Sequence, residues 1–405
     1  MKICYLNFDG APTIKAAISN RIGGLNVILF NLLKYASLLS HLDLLVLYRD
    51  DGLDIPSELA NMPITIERII AGKSQPLTKK DLDTCLNKFI SSVGIYLQNN
   101  KPELIHTSGS ESGYVMMKLR QFGLRIPWVH TNYATLTVRR VVVYGQSILE
   151  ALTDSMGQRE SSCLENCDHI IALSEVDRQE TSSIFGIMPS KITVAEPGID
   201  HEIFYPGNFL NRLPVIISAG RMSAIKDFPF LIRCFRQVVN LVPHLEETKL
   251  IIVGGNEEER YEIGLPQIIK HFDLESKIEF IDGVDQIRLA EQFRRARIFA
   301  GVSKHETFGL LPVEARACGT PSVVRANSGY LTTAIDGFGG YFTNNDSEQD
   351  MANKISYILN LSNANWIKKS HQAVETAKKF QWPNMVKTCL DVYQRLLGSS
   401  KISLL

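Results

Sequence analysis

The chain has 405 residues, of which 45% are hydrophobic and 21% are charged, so it has an ordinary globular composition and is too long for one ordinary core. Its 43 basic and 43 acidic residues give a formal net charge of zero, which disfavours a nucleic-acid partner. Its seven cysteines show no CxxC or CxxH spacing, which argues against a disulfide framework or a zinc site.

The amino terminus has the pattern of a first strand. MKICYLNFDG carries one lysine and reaches polar residues within ten positions, unlike a signal peptide. The chain contains no run of eighteen apolar residues, so no transmembrane helix is predicted. We therefore expect a cytoplasmic protein.

The first half alternates predicted strands with predicted helices. Strands are predicted at residues 2–6, 42–48, 64–70 and 104–106, and helices at 25–39 and 79–97. This alternation predicts a parallel sheet. Gly23 and Gly24 stand at the entrance of the first helix, where paired glycines let backbone approach a ligand closely, although a plain turn explains them equally well.

Polar side chains follow the next two strands of this half. His106 ends one strand, and His130 and Tyr133 lie in PWVHTNYATL at the end of the next. Arg139 and Arg140 follow directly and would suit an acidic acceptor. A buried histidine with satisfied hydrogen bonds is an alternative for His130, and a solvated charge pair is an alternative for the two arginines.

The second half opens with the buried-strand pattern PVIISAG, followed by two cations. Arg221 and Lys226 lie five residues apart around a turn, where they would grip a diphosphate from two directions. A solvated turn is the alternative. Gly283 and Val284 form a turn after a later strand. Neither a P-loop nor a dinucleotide fingerprint is present in the sequence.

The stretch HETFGLLPVEARACGTP lies between two apolar strand patterns, RIFAGVS and PSVVRA. Pro312 suits the first turn of a helix, and the segment Thr307–Leu310 would present backbone N–H groups to an anion. We expect Glu314 in that first turn and Glu306 in the loop before it. Two carboxylates beside an anion site suit a nucleotide sugar, which carries hydroxyls on both sides of its phosphates.

This stretch resembles the Glu-x7-Glu motif of the retaining GT-B glycosyltransferases of family 4. Gly-Arg-x4-Lys before Asp227 resembles a second motif of the family, in which glycine is usual at position 227. The segment from His130 resembles a third motif, with Tyr133 where the family has a second histidine. Ser328-Gly329 stands in place of a Gly-Gly pair.

The resemblance implies an α/β fold of the GT-B type, with two Rossmann-like parallel-sheet domains facing across a cleft. It implies an acceptor-binding domain over residues 1–206 and a donor-binding domain over residues 207–383. A carboxyl-terminal helix over residues 384–398 would pack back on the first domain.

The resemblance also implies roles for individual residues. Glu306, Arg221 and Lys226 are expected to be catalytic. The expected donor-binding residues are Gly23, Gly24, Gly283, Val284, Phe308, Gly309, Leu310 and Glu314. The expected acceptor-binding residues are His106, His130, Tyr133, Arg139 and Arg140. Neither a metal nor another cofactor is expected.

The implied reaction moves a sugar, with retention, from a nucleotide diphosphate sugar such as a UDP-sugar to a hydroxyl of a small-molecule, glycan or lipid-linked acceptor. Contact with a membrane surface stays open. Two alternatives remain: an epimerase that acts on the nucleotide sugar itself, and a non-catalytic subunit of the same fold.

Overall fold

The computed structural model describes residues 1–12, 24–52, 54–72, 79–133, 135–209, 212–344 and 346–398. The chain forms two compact units. The second unit contains Pro197–Gln381, and the first contains the described residues before Pro197 together with those from Trp382 onward.

The first unit is built on a seven-stranded sheet. Its strands are β1 (Lys2–Asn7), β2 (Asp43–Arg49), β3 (Thr65–Ile69), β4 (Leu104–Ser108), β5 (Trp128–Thr131), β6 (His169–Ala172) and β7 (Ile192–Val194). They lie in the order β3-β2-β1-β4-β5-β6-β7, and each neighbouring pair is parallel. The register places Tyr5 beside His106 and Val129 beside His169.

Helices follow most of these strands. They are α1 (Gly24–Ala36), α2 (Ser57–Ala60), α3 (Lys79–Asn100), α4 (Ser110–Gln121), α5 (Leu136–Tyr144), α6 (Ile148–Thr153), α7 (Ser155–Asn166) and α8 (Glu175–Phe185). Such crossovers cover a parallel sheet, which explains why β4 is buried along its whole length. The core packs Phe8 against Phe89, with ring centroids 5.4 Å apart.

The second unit repeats this plan around six strands. The strands are β8 (Val215–Ala219), β9 (Lys249–Val253), β10 (Ile278–Ile281), β11 (Ile298–Gly301), β12 (Ser322–Arg325) and β13 (Gly340–Thr343). The helices are α9 (Phe228–Leu241), α10 (Glu257–Glu262), α11 (Leu265–His271), α12 (Gln286–Arg295), α13 (Leu310–Ala317), α14 (Tyr330–Thr333), α15 (Glu348–Leu359) and α16 (Asn363–Ala377). The strand order is β10-β9-β8-β11-β12-β13, again parallel throughout.

The predicted α/β class with two parallel sheets is confirmed. Buried aliphatic strands flanked by amphipathic helices carry a strong pattern, because both faces of a parallel sheet are covered. The last helix, α17 (Trp382–Leu396), belongs to the first unit. No described helix is long and apolar enough to cross a membrane.

The chain leaves the first unit after Glu196, whereas the sequence predicts the division after residue 206. Contacts of the intervening segment explain the difference. Ile199 donates its backbone N–H to the carbonyl of Phe380, at 3.2 Å. The ring of Phe204 packs on that of Phe293, with centroids 6.4 Å apart. These residues are therefore held by the second unit.

Candidate active site

The second sheet has a topological switch point between β8 and β11. From β8 the chain moves outward to β9 and β10, and then returns to the other side of β8 at β11. In open α/β sheets, ligands bind beyond the carboxyl ends of the strands at such a point. The loop after β8 carries Arg221 and Lys226, and the loop after β11 carries Glu306. The topology therefore brings together residues that lie 80 positions apart.

An ion pair joins these two loops. The ammonium of Lys226 donates to Oε1 of Glu306, and the side chains are 17% and 19% exposed. Beside it, the backbone N–H of Lys304 donates to the carbonyl of Ile225, at 2.8 Å. Burial raises the pKa of the Glu306 carboxyl, but the Lys226 ammonium opposes it, and the net pKa lies below its ordinary value. Glu306 is therefore an anion at neutral pH.

The β8 loop makes a close backbone contact with the β9 loop. A Cβ atom on Gly254 would lie 2.2 Å from the carbonyl oxygen of Gly220, so only glycine fits there. Gly220 itself has φ +148, and the Lys226 side chain passes over it. Arg221 follows as an exposed residue at the carboxyl end of β8. Arg221 and Lys226 thus occupy the same turn, as the sequence predicts.

The loop before α13 ends on Gly309, which has φ +92 and is the N-cap of the helix. No side chain caps this end of α13. Phe308 is 3% exposed and packs edge-on against Phe380, with centroids 5.5 Å apart, which fixes the turn. The first amides of an uncapped helix are available to an anion. Phe308, Gly309 and Leu310 therefore form the expected helix entrance.

Helix α13 begins at Leu310, two residues before Pro312. Pro312 does lie in the first turn, but Glu314 falls in the second, which corrects the expectation that Glu314 lies in the first turn. The helix begins before the proline because Gly309, with its positive φ, is the N-cap residue. Glu314 is 5% exposed, and burial raises the pKa of its carboxyl to about 8. The protein therefore holds Glu314 largely neutral at pH 7, in contrast to Glu306.

Asp227 stands at the N-cap of α9 with φ +49, a left-handed conformation that favours glycine. Its carboxylate accepts from Nη2 of Arg325, at 2.8 Å. Arg325 ends β12, is 1% exposed, and lies 3.9 Å from the centroid of the Phe230 ring. The residue that replaces the family's glycine thus anchors a buried guanidinium beside Lys226.

The remaining expected donor residues are Gly283, Val284, Gly24 and Gly23. Gly283 and Val284 follow β10, the edge strand two places from β8. Gly24 is the exposed first residue of α1, and a Cβ there would meet no atom within 4 Å. Gly23 lies outside the described residues. Among the described residues, no group of three His, Cys, Asp or Glu side chains could hold a metal ion.

In the first unit, His106 is fully buried. Its Nδ1 lies 2.5 Å from the hydroxyl of Tyr393, and its Nε2 lies 2.8 Å from Oγ1 of Thr131. Burial lowers the pKa of His106 to about 3, so the ring is neutral. Both ring nitrogens are occupied, so neither is left for an acceptor in this structure. The sequence could not show this, because Tyr393 lies 287 residues away on α17.

His130 and Tyr133 lie at the carboxyl end of β5. Nδ1 of His130 is 2.8 Å from Oγ1 of Thr107, and burial lowers the pKa of its ring to about 3. Tyr133 is 8% exposed, and burial raises its pKa above the ordinary value. Neither side chain carries a charge at neutral pH. The buried-histidine alternative therefore describes His130 in this structure.

Arg139 and Arg140 lie on α5. Arg140 is held in an ion pair by Asp154, so its charge is already balanced, whereas Arg139 is half-buried.

The start of α5 is fixed by Glu160, a residue that the sequence reasoning does not single out. Its carboxylate accepts from the backbone N–H groups of Leu136 and Thr137, each at 2.9 Å, and from Nδ2 of Asn132, at 2.6 Å. The glutamate that directly follows Arg159 at the start of RESSCLENCDH is the signal that could have indicated it.

Comparison with known proteins agrees with this geometry. The family model described as Glycosyltransferase Family 4 matches residues 22–203, and the one described as Glycosyl transferases group 1 matches residues 201–380. The chain is 27% identical over 401 residues to a D-inositol 3-phosphate glycosyltransferase of Acidothermus cellulolyticus, covering 94% of this chain and 87% of that protein. It is 26% identical over 357 residues to the protein of that name from Kribbella flavida, covering 84% and 83%.

Solved structures share the fold. The sucrose-phosphate synthase of Thermosynechococcus elongatus superposes with a TM-score of 0.82 at 22% identity, covering 98% of this chain and 100% of that one. Anabaena HepE in complex with UDP-glucose superposes with a TM-score of 0.72 at 18% identity, with the same coverage. The expected GT-B fold class is confirmed. The chain is a glycosyltransferase made of a Glycosyltransferase Family 4 domain followed by a Glycosyl transferases group 1 domain.

Proposed function

We propose that the protein transfers a sugar from a UDP-sugar to an acceptor hydroxyl with retention of configuration and without a metal ion. The observation that carries the proposal is the Lys226–Glu306 ion pair at the β8–β11 switch point, beside the uncapped start of α13. One cation, one anion and a set of helix amides at one strand edge suit a substrate that has both a diphosphate and sugar hydroxyls.

The donor's diphosphate lies against Arg221, Lys226 and the first amides of α13. As the glycosidic bond breaks, negative charge grows on the leaving phosphate, and preorganised donors stabilise that charge. Lys226 then exchanges part of its contact with Glu306 for the phosphate oxygens. Glu314, held largely neutral by burial, hydrogen-bonds the ribose hydroxyls.

Glu306 acts on the sugar. Its carboxylate accepts hydrogen bonds from sugar hydroxyls and stabilises the positive charge that develops at the anomeric carbon. The acceptor oxygen attacks on the face that the phosphate leaves, and the departing phosphate oxygen takes the acceptor's proton. This route needs no separate general base, which fits the low pKa of about 3 that burial gives His106 and His130, because such rings are weak bases.

The acceptor is a small molecule, a glycan or a lipid-linked hydroxyl. D-inositol 3-phosphate is the first candidate, because relatives that span most of this chain carry that activity in their names. Arg139, half-buried six residues after Tyr133, supplies positive charge for a phosphate-bearing acceptor.

We place the reaction in the cytoplasm, since all seven cysteines are buried free thiols, as a reducing compartment favours.

A donor–acceptor screen read by mass spectrometry tests the proposal. UDP-glucose and other nucleotide sugars are incubated with D-inositol 3-phosphate and simple polyols, with and without protein. We expect a glycoside with the donor's anomeric configuration, formed at the same rate in excess EDTA. Conversion of the donor alone into an isomer would indicate an epimerase instead. Loss of activity in EDTA that Mg²⁺ restores would contradict the metal-free route.

A further inference from the structure

The loop that carries Glu306 is braced by a second loop, between β12 and α14. We propose that Asn327 and Ser328 in this second loop are positioning residues that set the placement of Glu306 for sugar transfer. This proposal rests on the function proposed above. It concerns the residue pair Ser328-Gly329 that departs from the Gly-Gly of related sequences.

The two loops are joined by a continuous set of hydrogen bonds. Nδ2 of Asn327 donates to the carbonyls of Ser303 and Lys304, at 3.2 and 3.1 Å. This fixes the orientation of the amide, so its Oδ1 accepts from the hydroxyl of Ser328, at 3.2 Å. The same hydroxyl oxygen accepts the backbone N–H of Glu306, at 2.8 Å. Each donor and acceptor in this set therefore has a defined direction.

The other side of the Glu306 peptide is held as well. The backbone N–H of Gly329 donates to the Glu306 carbonyl, at 2.6 Å. A Cβ atom on Gly329 would lie 2.5 Å from the Phe308 nitrogen, so the loops touch through backbone. Behind them, the buried Tyr330 ring fills the space beside Gly309, where a Cβ would lie 2.7 Å from Cδ1 of the ring. Glu306 is thus held at its N–H, its carbonyl and its carboxylate.

Ser328 adopts an unfavourable backbone conformation to make this contact. Its φ is +42, in the left-handed region where serine is strained and glycine is not. Glycine would suit the backbone better but would remove the oxygen that accepts the Glu306 N–H. Strain retained at one residue, with its side chain bonded to a candidate catalytic loop, indicates a positioning role.

Two variants that differ in stability but lose activity equally would separate this role from a structural one. Ser328→Gly removes the strain and the hydrogen bond together, so we expect a Tm within about 2 °C of the wild type. Ser328→Ala keeps the strain and loses the bond, so we expect a Tm about 2–4 °C lower. If Ser328 positions Glu306, both variants lose kcat equally, by roughly tenfold or more, because small displacements of catalytic groups are costly. The KM for UDP-glucose stays within about threefold, since neither variant removes a proposed phosphate ligand.

Asn327→Ala provides an independent variant, because it removes the amide that orients the Ser328 hydroxyl. It should lower kcat with the donor KM preserved. Asp273→Gly is the matched control: Asp273 also has a positive φ, +54, but lies in the exposed turn between α11 and β10. That variant should keep wild-type kcat.

The measurements are initial rates of UDP release from UDP-glucose with the acceptor that the wild type uses, together with thermal melts. A kcat for Ser328→Gly within twofold of the wild type overturns the proposal. So does a series in which kcat simply follows Tm across the Ser328 and Asn327 variants. A wild type that turns over no nucleotide sugar refutes the proposed function itself, and this result is distinct from either of the others.

Discussion

Replacing Lys226 by methionine tests the central contact of the candidate active site. The change keeps an unbranched, slightly shorter side chain and removes its charge, so Glu306 loses the ammonium that now lies against its carboxylate. Lys226 also faces the expected position of the leaving diphosphate. We expect kcat/KM to fall at least hundredfold.

The magnitude follows from the charge that Lys226 offers to the leaving diphosphate. Removing one preorganised donor from the developing charge of a transition state costs about 2.7–4 kcal/mol. The Lys226 and Glu306 side chains are 17% and 19% exposed, so solvent screens part of the interaction, and we take the lower end of this range. At about 1.4 kcal/mol per factor of ten, this corresponds to roughly a hundredfold loss of kcat/KM.

The pH dependence of kcat/KM gives a second, independent measure. With Lys226 present, the pKa of Glu306 lies below its ordinary value in spite of burial. Without the ammonium, burial is opposed only by the smaller effects of Ser303 and His305, so the pKa of the carboxyl rises and the acidic limb of the profile should move to higher pH. Lys270→Met on exposed α11 removes the same charge elsewhere and should leave the profile unchanged. Activity of Lys226→Met within threefold of the wild type at every pH would refute the reasoning.

Three further variants test neighbouring features of the two units. Glu314→Gln should gain stability over the wild type as pH rises from 5 to 8, by at most about 1.4 kcal/mol per pH unit. The reason is that the folded protein keeps this carboxyl protonated to about pH 8, while the unfolded chain releases the proton near 4.5. Thermal melts across this pH range check the prediction, and a stability difference that does not change with pH contradicts it. Asp227→Gly should lower Tm by about 2–4 °C, although glycine tolerates the positive φ at this position better than aspartate. Among the described residues, Arg325 would then keep only Asp346 as an ion-pair partner, at 3.4 Å, and the Asp346 side chain is 83% exposed. An unchanged or higher Tm contradicts this prediction. Tyr133→Phe should lower kcat/KM by at most roughly tenfold, which is the scale of one hydrogen bond, because burial keeps this phenol neutral. A loss of kcat/KM equal to that of Glu306→Ala would instead indicate that the phenol takes part in proton transfer.

The sequence by itself determined the fold class and the positions of the expected donor-side residues relative to the strands. Buried strands such as Val215–Ala219 and the helices between them carry a local hydrophobic pattern that is independent of long-range contacts. The two carboxylates Glu306 and Glu314, and the cations Arg221 and Lys226, stand at fixed distances from strand ends. Because parallel strands end at one edge of a sheet, the sequence predicts that these residues share that edge, whereas the neighbouring positions of β8 and β11 are a result of the sheet topology.

Only the tertiary structure decided the ionisation and the hydrogen-bond partners of individual residues. Whether a carboxyl is an anion or a neutral acid depends on burial and on its charge partner, so Glu306 and Glu314 have opposite pKa shifts although they share one motif. The ring of His106 has a partner at Nδ1 because α17 brings Tyr393 against it. Ser328 bonds the Glu306 backbone through a left-handed conformation that no local pattern predicts, since its strain is held by contacts 22 residues away.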